Sequence, residues 1–282
     1  MRRVVFVAFV FILAAPSAAR ADVSAPVAPA SACAAGDFAA TLEKADKTVA
    51  AVRRAAADFD RRAAAAPSDV CRVALFRAYW SYYEDVQSAL ADRIAAASPA
   101  AQARLLRTLT PLGWSYQESE AGAYITDGSR WLVQKVGPRL PDDWREYLRL
   151  RLSDEAEGFS EDAGLRIGWT SLRERIRRWE DFDRSHPQFE LAEIIRDYLT
   201  IYLNALLTGM DNTPAFVGEP ATLVPELRVE IEAYLADPKA RRRSDVRGYY
   251  RLIKRAGWRS SGDAEVYLAE HGLAVSGEPP RY

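Results

Sequence analysis

Residues 68–95 read SDVCRVALFRAYWSYYEDVQSALADRIA, and the apolar spacing within them sets the fold class. Val73, Phe76, Trp80, Tyr83, Leu90 and Ile94 recur at the three- and four-residue steps that align side chains along one stripe of an α-helix, while Leu75, Tyr79, Tyr82 and Val86 widen the stripe. Ser68 offers a hydroxyl cap for the helix start. A helix this apolar around its circumference needs more than one neighbour.

The first neighbour lies just upstream. Phe38, Leu42, Ala45, Val49, Val52, Ala56 and Phe59 alternate in steps of four and three, a heptad seam that Pro67 closes. One helix over 36–66 followed by the second forms an antiparallel αα-hairpin, assigned to residues 36–98. Downstream, shorter helices are expected over 100–110, 129–137 and 141–156, the last opened by Pro141 with Asp142 and Asp143. Ala123–Leu132 around Asp127-Gly128 reads either as a helix stop and restart or as a hairpin. Ser171 with Glu174 suggests a capping box. A strongly apolar helix runs from Pro187 to Gly209, and three more follow over about 224–236, 239–256 and 262–271. The expectation is an all-α protein, with the long N-terminal hairpin packed on a continuous multi-helical body of short helices over residues 99–275 and a tail over 276–282. Pro187, Ile195 and Tyr198 are echoed 51 positions later by Pro238, Val246 and Tyr249, a hint of stacked helix pairs.

The N-terminus has the order of a secretory signal: Arg2 and Arg3, an apolar run from Val4 to Ala15, then Ala19-Arg20-Ala21 with small residues at both recognition positions. The run is shorter than the roughly 20 residues a membrane span requires. Cleavage after Ala21 is expected, leaving a disordered leader over 22–35 and a periplasmic or secreted protein without a membrane span. Ala30-Ser31-Ala32-Cys33 imitates a lipidation box only loosely, since it lacks a branched aliphatic residue and lies far from the apolar run.

The chain has 38 basic and 39 acidic residues, and cleavage after Ala21 would remove three arginines and no acid. Bulk charge therefore gives no reason to expect a nucleic-acid partner, and the arginines at Arg241–Arg243, beside Asp237 and Asp245, read as a solvated helix face. Cys33 and Cys71 are the only cysteines. An oxidising compartment favours bridging them, but an unbroken helix over 36–66 would hold them about 45 Å apart, against the ~7 Å a disulfide tolerates. Either that helix is broken or the bridge is absent.

Familiar catalytic and phosphate-binding spacings are missing, and no cofactor or metal is implied. His186 and His271, the only histidines, sit at a helix entrance and exit and read as capping residues. Glu118, Glu120, Asp127, Glu161 and Asp162 lie in the glycine-interrupted middle of the chain, where Glu118 and Asp162 could supply the two carboxylates of a cell-wall glycan hydrolase. The turn Asp211-Asn212-Thr213 offers hydrogen bonds to a glycan or peptide, or simply reverses the chain. Trp114, Trp131, Trp144, Trp169, Trp179 and Trp258 fit a ligand groove or, at helical spacing, a core.

Two functions remain in view: an exported, non-enzymatic helical module (adaptor, inhibitor or immunity-type) that binds a protein or envelope component, and the carboxylate-dependent hydrolase. A third, an assembly protein, would self-associate through the N-terminal hairpin.

Overall fold

The computed structural model describes residue 33 and residues 35–119, 122–127 and 131–275. The expected signal peptide, most of the leader and the 276–282 tail lie outside the described residues. The protein is predominantly helical. Eleven α-helices are described: α1 (Ala35–Glu43), α2 (Val49–Ala65), α3 (Asp69–Ala95), α4 (Pro99–Leu109), α5 (Trp131–Lys135), α6 (Asp142–Glu157), α7 (Trp169–Ser185), α8 (Ala192–Thr208), α9 (Pro225–Ala236), α10 (Arg243–Arg255) and α11 (Gly262–Glu270). Four two-stranded antiparallel hairpins interrupt them: β1–β2 (Ser115–Ser119, Gly122–Thr126), β3–β4 (Ser160–Glu161, Gly164–Leu165), β5–β6 (Gly209–Met210, Thr213–Pro214) and β7–β8 (Phe216–Val217, Thr222–Leu223). No helix among the described residues is long and apolar enough to cross a membrane. The chain forms two compact units that divide between Ala156 and Glu157. The hairpin boundary read near residue 98 falls inside the first unit.

In the first unit α3 is the centre. Ser68 caps it by accepting the Cys71 N–H at 3.3 Å. Phe76, Tyr79, Val86 and Ile94 are fully buried. On one side Phe59 of α2 meets Phe76 and Tyr79, with ring centroids 6.4 and 5.9 Å away. On another, Trp144 of α6 packs 5.1 Å from Phe76 and 5.8 Å from Trp80. The β1–β2 hairpin, with Ile125 buried, covers a third part of α3.

The helix read over 36–66 is two helices. Thr48 leaves helical backbone geometry and accepts the Ala51 N–H at 3.2 Å, so the second piece starts with its own cap. The apolar stripe continues across the break, with Phe38, Val52 and Phe59 all fully buried. The break resolves the cysteine alternatives: Cys33 and Cys71 are bridged, with Cα atoms 5.0 Å apart.

The all-α expectation holds as predominantly helical, and the hairpin alternative over Ala123–Leu132 is replaced by one further upstream. β2 pairs with the segment before it, Tyr116 opposite Ile125, not with the one after Asp127-Gly128. Five-residue strands as polar as Ser-Tyr-Gln-Glu-Ser carry little period-two signal.

In the second unit α7 packs on α8 and α9, and α10 packs on α9 and α11. The 51-residue echo corresponds to two helix pairs, α7–α8 and α9–α10, each joined by a six-residue link (186–191, 237–242) with proline at its second position. Ile195 and Val246, the matched aliphatics, are both buried. Two starts shift. The Ser171–Glu174 box is unused, because α7 begins at Trp169 behind Gly168 without a side-chain cap. Pro187 lies in the link and α8 begins only at Ala192, after Phe189 and Ala192 close successive turns.

Candidate functional site

Asp211 and Asn212 form the two-residue turn of the β5–β6 hairpin, which Gly209 opens at φ 75°, a conformation that favours glycine. Most of the turn's polar capacity is spent internally. The Thr213 hydroxyl accepts the Leu165 N–H at 2.9 Å, the Asn212 N–H donates to the Ala163 carbonyl at 3.0 Å, and the Asn212 amide donates to the Asp162 carbonyl. These bonds tie β5–β6 to β3–β4, and Asp211 stays exposed at the tip. The turn reverses the chain and joins two hairpins.

Glu118 sits on β1 of the first unit and Asp162 in the β3–β4 turn of the second, so neither unit contains the pair. Glu118 accepts the Tyr116 hydroxyl at 2.6 Å, a bond that raises the exposed phenol to about 12. Asp127 is instead buried: the Tyr83 hydroxyl donates to it at 2.6 Å while accepting the Trp114 indole N–H at 2.7 Å. Burial, with Asp127 beside it, pushes the Tyr83 phenol well above its ordinary range. This network is buried between α3 and the β1–β2 region and ties Asp127 and Trp114 to Tyr83. Glu161 is exposed and faces Arg166 at 3.5 Å, and Glu120 lies outside the described residues. His186 caps α7 against Phe182, and His271 stacks on Tyr267 with ring centroids 3.9 Å apart. Among the described residues no three metal-ligating side chains converge.

Trp114, Trp144 and Trp179 are core residues, and Trp131 and Trp169 are half-buried. Trp258 differs. It follows Gly257, beyond the end of α10, and itself has φ 66°, a backbone state that a bulky residue adopts only when its surroundings over-determine it. Two backbone bonds hold it: its N–H donates to the Ile253 carbonyl at 2.8 Å, and its carbonyl accepts the Leu223 N–H at 2.7 Å. The indole thereby forms one wall of a depression of about 470 Å³, whose other walls include Leu223, Pro225, Arg228, Val229 and Glu232.

The polar groups of this depression are paired with one another. The Arg228 guanidinium lies 3.8 Å from the Trp258 ring centroid and donates to Glu232 at 2.9 Å. The Tyr250 hydroxyl donates to the same Glu232 oxygen, and its ring meets Trp258 edge-on at 5.4 Å. Tyr250 and then Arg228 hold the Glu232 carboxyl below its ordinary value. Val229, 60 % exposed, adds an aliphatic edge. An indole face, a fixed guanidinium–carboxylate pair and an aliphatic edge suit a ligand with both apolar and hydrogen-bonding groups, in a volume within the usual range for small-ligand sites.

Sequence reading passed over this site because Trp258 was grouped with tryptophans at helical spacing. The signal was its neighbourhood: Gly257 ends the helix, and Arg259-Ser260-Ser261 leaves the indole no apolar neighbours in sequence.

No family model, curated protein or solved structure matches this chain.

Proposed function

We propose that the protein is an exported, periplasmic or secreted, helical binding protein that engages a protein or envelope component as an adaptor, inhibitor or immunity-type partner, without chemistry of its own. In this reading α2 and α3 form the antiparallel αα-hairpin of the scaffold, and the helices after residue 99 form the array that carries recognition. The supporting observation is the Trp258 depression. A tryptophan held at positive φ by backbone bonds, with Arg228 fixed against its face, reduces the ordering cost that binding would otherwise carry.

A photo-crosslinking residue at Val229, on the rim, should capture a partner in the envelope fraction, and Trp258→Ala should lower that capture at least about tenfold. The same residue at Val70, exposed on α3, is the control. Equal labelling from both positions, or capture indifferent to Trp258→Ala, removes the depression as the recognition site. The mass of the protein recovered from that fraction tests export separately, with a mature N-terminus at Asp22 expected.

A further inference from the structure

Between Arg241 and Arg259 the chain carries eight cations and one acid, Asp245, although the whole chain is net −1. Structure divides the seven that precede Arg259 into two groups. Arg241 pairs with buried Asp183, Arg242 with Asp245, and Arg243 donates to the Leu235 carbonyl at 2.7 Å, so these three hold the link and the start of α10 in place. Arg247, Arg251, Lys254 and Arg255 form no ion pair with any described residue. At 100° per residue they fall within an arc of about 100° on α10, opposite Val246, Tyr249 and Ile253, which are buried.

The surroundings of this stripe are asymmetric. Tyr250 borders one edge and leads to Trp258, Arg228 and exposed Val229. At the other edge Gly248 lets the Tyr267 ring of α11 lie directly against the helix backbone, and Arg251 faces that ring's hydroxyl. Glu232 lies near Lys254, and it already holds Arg228 and Tyr250. A compact set of cations bordered on one side by indole, phenol and aliphatic groups is the composition of an interfacial surface: the charges meet anionic headgroups while the rings sit at headgroup depth.

We infer that the exposed face of α10, with the Trp258 shelf beside it, docks on an anionic membrane surface. The inference goes beyond the ligand depression, since docking needs no ligand in it.

The test is co-sedimentation of the full chain with vesicles of phosphatidylcholine alone and with one-third phosphatidylglycerol. Binding should require the anionic lipid and weaken as salt shortens the screening length. With roughly fivefold in affinity per basic residue near the surface, the combined variant Arg247→Gln, Arg251→Gln, Lys254→Gln, Arg255→Gln should bind about a hundredfold or more weakly. A variant with Arg53, Arg54, Arg104 and Arg107 changed to Gln removes equal charge from exposed positions of the first unit and should bind as the wild type does, with circular dichroism checking that both fold. Equal binding to both vesicle types overturns the inference, as does wild-type-like binding by the α10 variant. Tighter binding to a DNA duplex than to the anionic vesicles reassigns the stripe and also overturns it. Loss of Val229 crosslinking with vesicle binding intact would instead count against the depression alone.

Discussion

In the first unit one cation lies between two acids; in the second one acid lies between two cations. Arg151 of α6 reaches Glu84 at 3.6 Å and Glu155 at 3.2 Å, over the Trp80 ring at 4.5 Å. Burial outweighs the pull of Arg151 and pushes both carboxyls above their ordinary value. Asp183 of α7 is buried and faces Arg196 at 3.6 Å as well as Arg241. A buried cluster with excess acid is strained by its own charge, whereas the buried Asp183 has a cation on either side, and those cations, Arg241 and Arg196 (which also pairs with exposed Glu193), are nearly half exposed and stay solvated on their outer faces. The same chemical change, a carboxylate made amide, should therefore have opposite effects in the two units.

The largest effect is expected where the second unit buries a cation completely. Arg175 donates to Glu157 at 3.0 Å and to the Gly158 carbonyl at 2.8 Å, and its guanidinium lies 5.5 Å from the Tyr202 ring centroid. Arg175→Ala removes a fully buried side chain and should cost about 3–4 kcal/mol, read from the urea midpoint. Asp183→Asn comes next, at about 2 kcal/mol, since Arg241 loses this charged partner and Arg196 is left with the exposed Glu193; an unchanged midpoint would mean that the buried carboxylate contributes nothing net. Tyr83→Phe, in the first unit, should cost about 1–2 kcal/mol by leaving Asp127 and the Trp114 indole short of a bond.

Glu84→Gln is the smallest change and the sharpest test of the comparison, because its sign should reverse. Leaving Arg151 matched with Glu155 alone should be neutral or stabilise by up to about 1 kcal/mol at neutral pH. The pH dependence follows the same logic. A carboxyl whose folded pKa is raised binds its proton more tightly in the folded state, so the contribution of Glu84 to stability is fully present below the ordinary glutamate pKa and is lost as pH rises from there through the raised value. Glu84→Gln should flatten that fall, and a slope as steep as the wild type's would show that Glu84 does not produce it.

How much of this was legible in sequence depended on whether the signal was local. The stripes of α3 and of residues 38–59 were, because burial follows period directly: Phe76, Val86, Val52 and Phe59 are all buried where the spacing put them. The break before Thr48 was left open, visible only through the cysteine geometry, because a cap of one hydroxyl competes weakly with a long apolar seam, and the bridge between Cys33 and Cys71 depended on that break. Strand pairs two residues long carry no period at all and declare themselves only through partners, such as Thr213 with Leu165. The candidate site was hidden for a related reason. Trp258 acquires its role from backbone bonds to Ile253 and Leu223, the latter 35 positions away in sequence, and from a stacked arginine on another helix. The Arg241–Arg243 run, read as a solvated face, is solvated only in part, since each of its arginines is also tied to a partner, while the cations without an ion pair among the described residues lie further along α10.

The bridge at Cys33 closes a covalent ring that contains the whole of α1 and α2. A protease that cuts any single bond between the two cysteines opens the ring without releasing a piece: the N-terminal side of the cut stays attached to α3 through sulfur and the C-terminal side through its peptide backbone, and the nicked chain migrates as one species until a reductant separates it. In a compartment with proteases and no thiol buffer, the entry point of the folded chain would thus tolerate a break that would detach its first two helices from an unbridged protein.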